Sequence, residues 1–249
     1  MTTTTTPHET ATPISEIAPW RALPVLVAGV FLVVLDFFIV NVAMPSIQHG
    51  LNANASQLEW VVAGYGLTLA SSLLTSGRVG DRVGRRRLFS LGVGVFTITS
   101  LLCALATTPE LLIIARLVQG IGAAMLLPNS LAILSASFAG ERKGRAVGTW
   151  AAAGAIAGAV APLLGGVLVD GLGWRFIFLL NIPFALGALA LGWLYVPESQ
   201  NEQRPPPDWL GATLATLGLG ALTFGLTAWS ATDRVGPGAG ATIAAGVAI

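Results

Sequence analysis

Charged side chains are scarce in this sequence. Asp, Glu, Lys and Arg make up 10% of the 249 residues, whereas soluble domains contain roughly 25% charged residues. So few charges cannot cover a water-facing surface, and 54% of the residues are hydrophobic. The composition therefore excludes an ordinary soluble domain and predicts an integral membrane protein.

Several kinds of chemical site are missing as well. The one cysteine, Cys103, lies in an apolar run, so a single chain offers no disulfide framework, and no His, Cys and carboxylate cluster has metal-site spacing. No Gly-x-x-x-x-Gly-Lys-Ser/Thr stretch is present, which excludes ATP as an energy source within this chain. We expect no enzymatic activity, no cofactor and no nucleic-acid binding.

The hydrophobic residues fall into long runs separated by short polar stretches. A helix needs about 20 apolar residues to span a bilayer, so the runs predict an all-α membrane fold with seven helices and the start of an eighth. The seven cover about 20–44, 58–76, 88–106, 110–135, 144–169, 174–196 and 209–230. The eighth begins near Gly238 and stops at Ile249, which indicates a fragment or a truncated gene product.

These runs divide the chain into four parts. The Thr-rich residues 1–18 predict a disordered cytoplasmic tail, and residues 19–197 predict a six-helix transmembrane bundle. Pro205-Pro206-Pro207 indicates a short, stiff cytoplasmic linker over 198–207. The extra transmembrane helices, the second of them incomplete, occupy 208–249.

Residues 77–89 join the second and third predicted helices and contain five arginines. We predict a tight loop here, because a charged and glycine-rich stretch between two apolar runs cannot lie in the hydrocarbon region. Short cytoplasmic loops accumulate Lys and Arg. This loop and the N-terminus are therefore expected on the cytoplasmic side of the cell (plasma or inner) membrane.

An internal repeat supports the six-helix unit. A shift of 89 residues places the loop on a second glycine-rich turn that keeps the aspartate and loses most of the positive charge: Gly77, Asp81 and Gly84 fall on Gly166, Asp170 and Gly173. The shift spans three helices, an odd number, so the second turn faces the other side. This pattern is typical of the three-plus-three inverted repeats of secondary transporters, although glycine-rich turns also recur by chance.

Asp36 lies inside the first apolar run. A charge at the bilayer centre costs about 2.5–3.5 kcal/mol on insertion scales, so its presence there indicates a use. A carboxyl group in apolar surroundings takes up a proton more readily than one in water, which makes Asp36 a candidate proton carrier. That mechanism requires a polar route to Asp36 from water. A structural hydrogen bond or salt bridge is the alternative.

Arg116 lies inside the fourth apolar run at a similar depth. At 1.5 Å per residue, Asp36 and Arg116 lie about 10–13 Å below the outer ends of their helices. We hypothesise that they share one polar cavity in which the arginine influences the proton affinity of the aspartate; an arginine that extends outward to the interface is the alternative. Asn41, Tyr65 and Gln119 are weaker candidates for a substrate cavity.

The fifth predicted helix carries small residues and one proline. Small residues four apart let helices approach closely, and an internal proline kinks a helix. The residues expected to act in this packing are Gly148, Gly154, Gly158, Pro162, Gly165 and Gly166.

Four of these features are the 77–89 stretch, Asp36, Arg116 and the small residues of the fifth helix. They resemble motifs of the major facilitator superfamily, and in particular of its fourteen-helix drug:proton antiporters. The stretch over 77–89 is similar to the family's Gly-x-Leu-Ala-Asp-Arg-x-Gly-Arg-Arg loop, with Gly80 in place of alanine. It keeps Gly77, Asp81, Arg82, Gly84, Arg85 and Arg86. Two other motifs depart from the family pattern: in the first helix Phe38 replaces a threonine, and in the fifth Ala157 and Ala161 replace glycines.

The resemblance implies a proton-coupled multidrug efflux transporter that works by alternating access, present here as its N-terminal portion. It implies proton coupling by Asp36 and Arg116, conformational gating by the loop between helices two and three, and an antiporter motif in helix five. The implied partners are small amphipathic or cationic substrates, protons, the lipid bilayer and the missing C-terminal half. A dedicated metabolite or antibiotic exporter, and a truncated non-transporting membrane protein, are the alternatives.

Overall fold

The computed structural model describes residues 14–196, 198–199, 209–232 and 242–246, and every regular element among them is helical. The helices are α1 (Ile14–Leu51), α2 (Ala55–Val83), α3 (Arg85–Ala104), α4 (Pro109–Ser137), α5 (Gly140–Leu172), α6 (Phe176–Leu179), α7 (Asn181–Tyr195) and α8 (Trp209–Thr232). The predicted all-α membrane fold is confirmed.

Several predicted boundaries need correction. Helix α1 begins at Ile14, so residues 14–18 belong to a helix rather than to the predicted tail; the rest of that tail lies outside the described residues. The sixth predicted helix is divided into α6 and α7, because Pro183 has no N–H group to continue the helical hydrogen bonds. Most of the predicted linker, and all but residues 242–246 of the predicted eighth helix, also lie outside the described residues.

Five described stretches are long and apolar enough to cross a membrane: Trp20–Leu51, Arg85–Ala104, Pro109–Ser137, Gly140–Leu172 and Phe176–Tyr195. Helix α2, with 29 residues, has the length for a crossing, but serines, threonines and charged residues reduce its hydropathy. It packs along α4.

The packing follows the internal repeat. Helix α2 packs on α4 as α5 packs on α1, and α3 packs on α4 as α7 packs on α1. Exchange of α1, α2 and α3 with α4, α5 and the divided helix α6–α7 converts each first pair into the second, as an inverted repeat requires. Helix α8 packs on α2, where the rings of Trp60 and Phe224 lie 5.5 Å apart.

The junction between α2 and α3 is shorter than predicted. Helix α2 continues to Val83 and α3 begins at Arg85, so the predicted loop over 77–89 is wrong and the turn consists of Gly84 alone. Its φ of 120° is a conformation that only glycine adopts without strain. Charged side chains at a helix end reach water and do not oblige the helix to stop. Gly173, at the repeat-related turn, has a φ of 97°.

Candidate functional site

Asp36 and Arg116 form an ion pair in the middle of the bundle. Asp36 is on α1, Arg116 is on α4, and both side chains have no exposed surface. Arg116 Nη1 donates a hydrogen bond to Asp36 Oδ2. The structure thus brings together the two residues that sequence analysis selected, and the alternative in which Arg116 extends to the interface is wrong.

Gln119 and the backbone of α2 complete the surroundings of the guanidinium group. Arg116 Nη1 also donates to Gln119 Oε1 at 2.9 Å, and Arg116 Nε donates to the carbonyl oxygen of Val61 at 3.2 Å. Gln119 Nε2 donates to Asp36 Oδ1 at 3.3 Å. Gln119 therefore binds both members of the pair, because its amide N–H donates to the Asp36 carboxylate and its amide oxygen accepts from the Arg116 guanidinium group.

Sequence analysis missed two polar residues of this cluster. Asn181, the first residue of α7, donates from Nδ2 to Asp36 Oδ1 at 2.7 Å and to Ser100 Oγ at 3.0 Å. Ser100, on α3, also accepts from Gln119 Nε2 at 3.2 Å. A polar residue inside an apolar run was the signal that identified Asp36, and the same signal would have found Asn181.

Aromatic rings cover the guanidinium group. Arg116 Cζ lies 4.1 Å from the centroid of the Tyr65 ring and 5.9 Å from that of Phe178, within the range of cation–π attraction. The Tyr65 hydroxyl donates to the carbonyl oxygen of Val33 at 3.2 Å. A buried ion pair is stable when further hydrogen bonds satisfy its remaining donors and acceptors. The bonds from Gln119, Asn181 and the Val61 carbonyl do so here, except at Arg116 Nη2, which is buried and has no hydrogen-bond partner.

The three residues predicted for a substrate cavity lie in two different surroundings. Tyr65 and Gln119 are fully buried in the cluster around Asp36. Asn41 is exposed, and its Nδ2 donates to the carbonyl oxygens of Phe37 and Phe38 on its own helix. Asn41 lies on a different face of α1 from Asp36, because five residues along a helix correspond to a rotation of about 140°. The role of the three residues in a substrate cavity stays a prediction.

The basic stretch at the α2–α3 junction is held by acidic side chains. Asp81 Oδ1 accepts from Arg85 Nε at 2.8 Å, and Arg85 Nη2 lies 2.7 Å from the same oxygen. Gly77 packs near Pro128 of α4. Arg82 is exposed. The predicted gating residues thus form an ordered helix junction in which Asp81 pairs with the arginine four positions later.

Glu198 is a second acidic residue at this junction, and sequence analysis placed it only in a linker. Glu198 Oε1 accepts from the backbone N–H of Arg86 at 3.0 Å, and the carbonyl of Ser199 accepts from Arg85 N at 3.0 Å. A carboxylate is stabilised at a helix N-terminus by the helix dipole. A Cβ on Gly84 would lie 2.8 Å from Glu198 Oε1, so this contact also requires glycine.

The small residues of α5 pack on α1 in part. A Cβ at Gly154, Gly158 or Gly165 would meet α1 side chains at 3.1–3.4 Å, whereas Gly148 and Gly166 have no atom within 4 Å of that point. The packing role predicted for Gly148 and Gly166 is therefore not supported within the described residues, because these two lie on other faces of the helix. Pro162, inside α5, is exposed.

A helical bundle of membrane-spanning length, with a three-helix repeat and a buried acid–base pair, is an arrangement typical of secondary membrane transporters. The chain belongs to the Major Facilitator Superfamily, whose family model matches residues 26–249. With several helices of membrane-spanning length, it is a multi-pass membrane protein of that family.

Sequence relatives support this family assignment. The chain is 43% identical over 198 residues to the drug efflux pump JefA of Mycobacterium tuberculosis, covering 78% of this chain and 39% of that protein. It is 40% identical over 205 residues to the methylenomycin A resistance protein of Bacillus subtilis, covering 82% and 44%. The chain therefore spans about two fifths of the length of these relatives.

The fold is also that of a solved transporter. A bacterial homologue of the human lysosomal transporter Spinster, in an inward-facing and occupied conformation, matches with a TM-score of 0.61 at 24% sequence identity. The match covers 91% of this chain and 58% of that chain.

Proposed function

We propose that this chain is the N-terminal portion of a proton-coupled multidrug efflux transporter in which Asp36 carries the proton. The observation that supports the proposal is the Asp36–Arg116 pair, which has no exposed surface inside an apolar bundle. A buried ion pair contributes little net stability compared with well-packed apolar side chains. Its presence is therefore better explained by a reaction that uses the charge.

In this mechanism, protonation of Asp36 removes the charge that holds Arg116. The guanidinium group then loses its strongest partner, and the contact of α1 with α4 weakens. Because Asp36 is fully buried here, it takes up the proton in a conformation in which α1 and α4 have moved apart and water reaches it, and protonation then stabilises that conformation. Proton uptake is thereby coupled to the conformational change of alternating access, with the N-terminus in the cytoplasm and the proton taken up from outside.

Export of drugs is the direction and cargo that we propose. A relative that is 43% identical is named a drug efflux pump, and α5 carries glycines and a proline that resemble the antiporter motif of exporters, with Ala157 and Ala161 in place of two glycines. Small amphipathic or cationic molecules are the expected substrates. The missing C-terminal half would form the other wall of the pathway, and the Asp81–Arg85 and Glu198 contacts would stabilise one of the two conformations.

A dedicated antibiotic exporter is the second candidate. The observation that favours it is the 40% identity to a protein named for resistance to one antibiotic, methylenomycin A. A panel of toxic cations separates the two candidates, because a dedicated exporter should protect cells against few of them. Expression of the 249 residues alone tests whether this portion transports anything by itself.

Replacement of Asp36 tests the proton coupling. In cells without their own efflux pumps, the full-length protein that contains this chain should export ethidium in a proton-dependent manner, and Asp36→Asn should abolish that dependence. Asp36→Glu keeps the carboxyl group and should retain part of it. Asp170→Asn, an exposed aspartate at the repeat-related turn, is the matched control. Unchanged proton-driven efflux by Asp36→Asn, at equal membrane abundance, would contradict the proposal.

A further inference from the structure

Asn181 is the closest neutral partner of the Asp36 carboxyl group. Its side chain is fully buried, and Nδ2 donates to Asp36 Oδ1 at 2.7 Å. The other end of the same amide, Oδ1, is buried and has no hydrogen-bond partner. A buried acceptor without a partner is costly, so an unused acceptor this close to a titratable acid requires an explanation.

The chemistry of the two groups supplies one. An ionised carboxylate only accepts hydrogen bonds, whereas a protonated carboxyl group also donates one. A primary amide does both, since its NH₂ group donates and its oxygen accepts. If the Asn181 amide rotates by half a turn, its Oδ1 takes the position that Nδ2 had next to Asp36.

We propose that Asn181 is a positioning residue that serves Asp36 in both charge states. Its Nδ2 donates to the carboxylate, as in this structure, and its Oδ1 accepts the O–H of the protonated acid after the amide turns. The inference rests on the proposed role of Asp36 as proton carrier. Asn181 thereby keeps the acid in place during the interval in which Arg116 has lost its partner.

The two hydrogen bonds differ in strength, and the difference sets the sign of the expected effect. A hydrogen bond to an ionised group is roughly twice as strong as one between neutral groups. Loss of the Asn181 amide therefore penalises ionised Asp36 more than protonated Asp36, and proton uptake should move to higher pH. The titratable groups that interact with Asp36 are not substituted in such a variant: Arg116 on α4, Tyr65 on α2 and Cys103 on α3.

Infrared spectroscopy of the purified full-length protein that contains this chain measures proton uptake by Asp36 without any transported substrate. The C=O stretching band of the protonated Asp36 carboxyl group is followed as a function of pH, and is assigned by subtracting the same titration of Asp36→Asn. In Asn181→Leu the midpoint of the band should move to higher pH by about 0.5–1 unit. The band should also move to higher wavenumber, since the neutral acid has lost its acceptor.

Asn129→Leu is the matched control. Asn129 is also a buried asparagine whose Oδ1 has no hydrogen-bond partner, and its Nδ2 donates to the carbonyl of Met125 rather than to Asp36. It should leave both the midpoint and the wavenumber unchanged. Asn181→Ser keeps a smaller donor and acceptor, and should give an intermediate shift even if the leucine variant does not fold.

Two results would refute the role of Asn181, and a third would refute the proposed function on which it rests. Titrations of Asn181→Leu and Asn181→Ser that match the unmodified chain would refute it, and so would an equal shift in Asn129→Leu. If subtraction of Asp36→Asn reveals no band at any pH, Asp36 takes up no proton. In that case the proposed function fails, and the role of Asn181 falls with it.

Discussion

The buried ion pair allows a stability prediction in which its two members are not equivalent. In Asp36→Asn the guanidinium group of Arg116 stays charged, because arginine does not release its proton in proteins. In Arg116→Met the carboxyl group of Asp36 can become neutral by taking up a proton. We therefore expect Asp36→Asn to be the more destabilising of the two substitutions.

The structure sets the magnitudes. Breaking a fully buried pair costs about 3–5 kcal/mol, and Asp36→Asn should approach this cost because both side chains have no exposed surface. Arg116→Met should cost less, because a carboxyl group left without its partner can become neutral whereas a guanidinium group cannot. The double variant should be more stable than the sum of the single effects predicts, with a coupling energy of up to about 3 kcal/mol.

The single cysteine makes the measurement direct. Cys103 is buried, so a thiol-reactive fluorescent dye reports thermal unfolding of the purified chain in detergent. The exposed pair of Arg145 and Glu141 on α5, with Nη2 and Oε1 2.8 Å apart, provides a control cycle that should give only about 0.3–0.5 kcal/mol. Equal coupling in the two cycles, or a greater loss for Arg116→Met than for Asp36→Asn, would refute the reasoning.

Three glycine substitutions can be checked in the same thermal assay. Gly84→Ala should destabilise the α2–α3 junction by about 1–3 kcal/mol, because its φ of 120° strains any other residue and its Cβ would displace Glu198. Gly120→Ala should cost about 1–3 kcal/mol, since its Cβ would overlap the backbone carbonyl of Tyr65. Gly148→Ala should be neutral or stabilising by up to about 1 kcal/mol, because nothing lies within 4 Å of the added Cβ; destabilisation there would show that the open face is occupied.

The features of this chain that could be predicted from its sequence are those that depend on residues close together in the sequence. Long apolar runs predict membrane helices, and Gly84 and Gly173 mark turns because each adopts a positive φ. Charge led to the one large error, the loop over 77–89. Arginines and Asp81 are excluded from the hydrocarbon region, but they are compatible with the last turn of a helix that projects beyond it.

The amino-acid sequence by itself determined that the chain forms apolar helices with an acid and a base at similar depth. Only the tertiary structure decided which side chains meet. Asp36 contacts Arg116 across 80 residues and Asn181 across 145 residues, and Glu198 reaches Arg86 across 112 residues. Helical periodicity fixes the face on which each side chain lies, whereas the rotation and depth of one helix against another depend on the packing of the whole bundle.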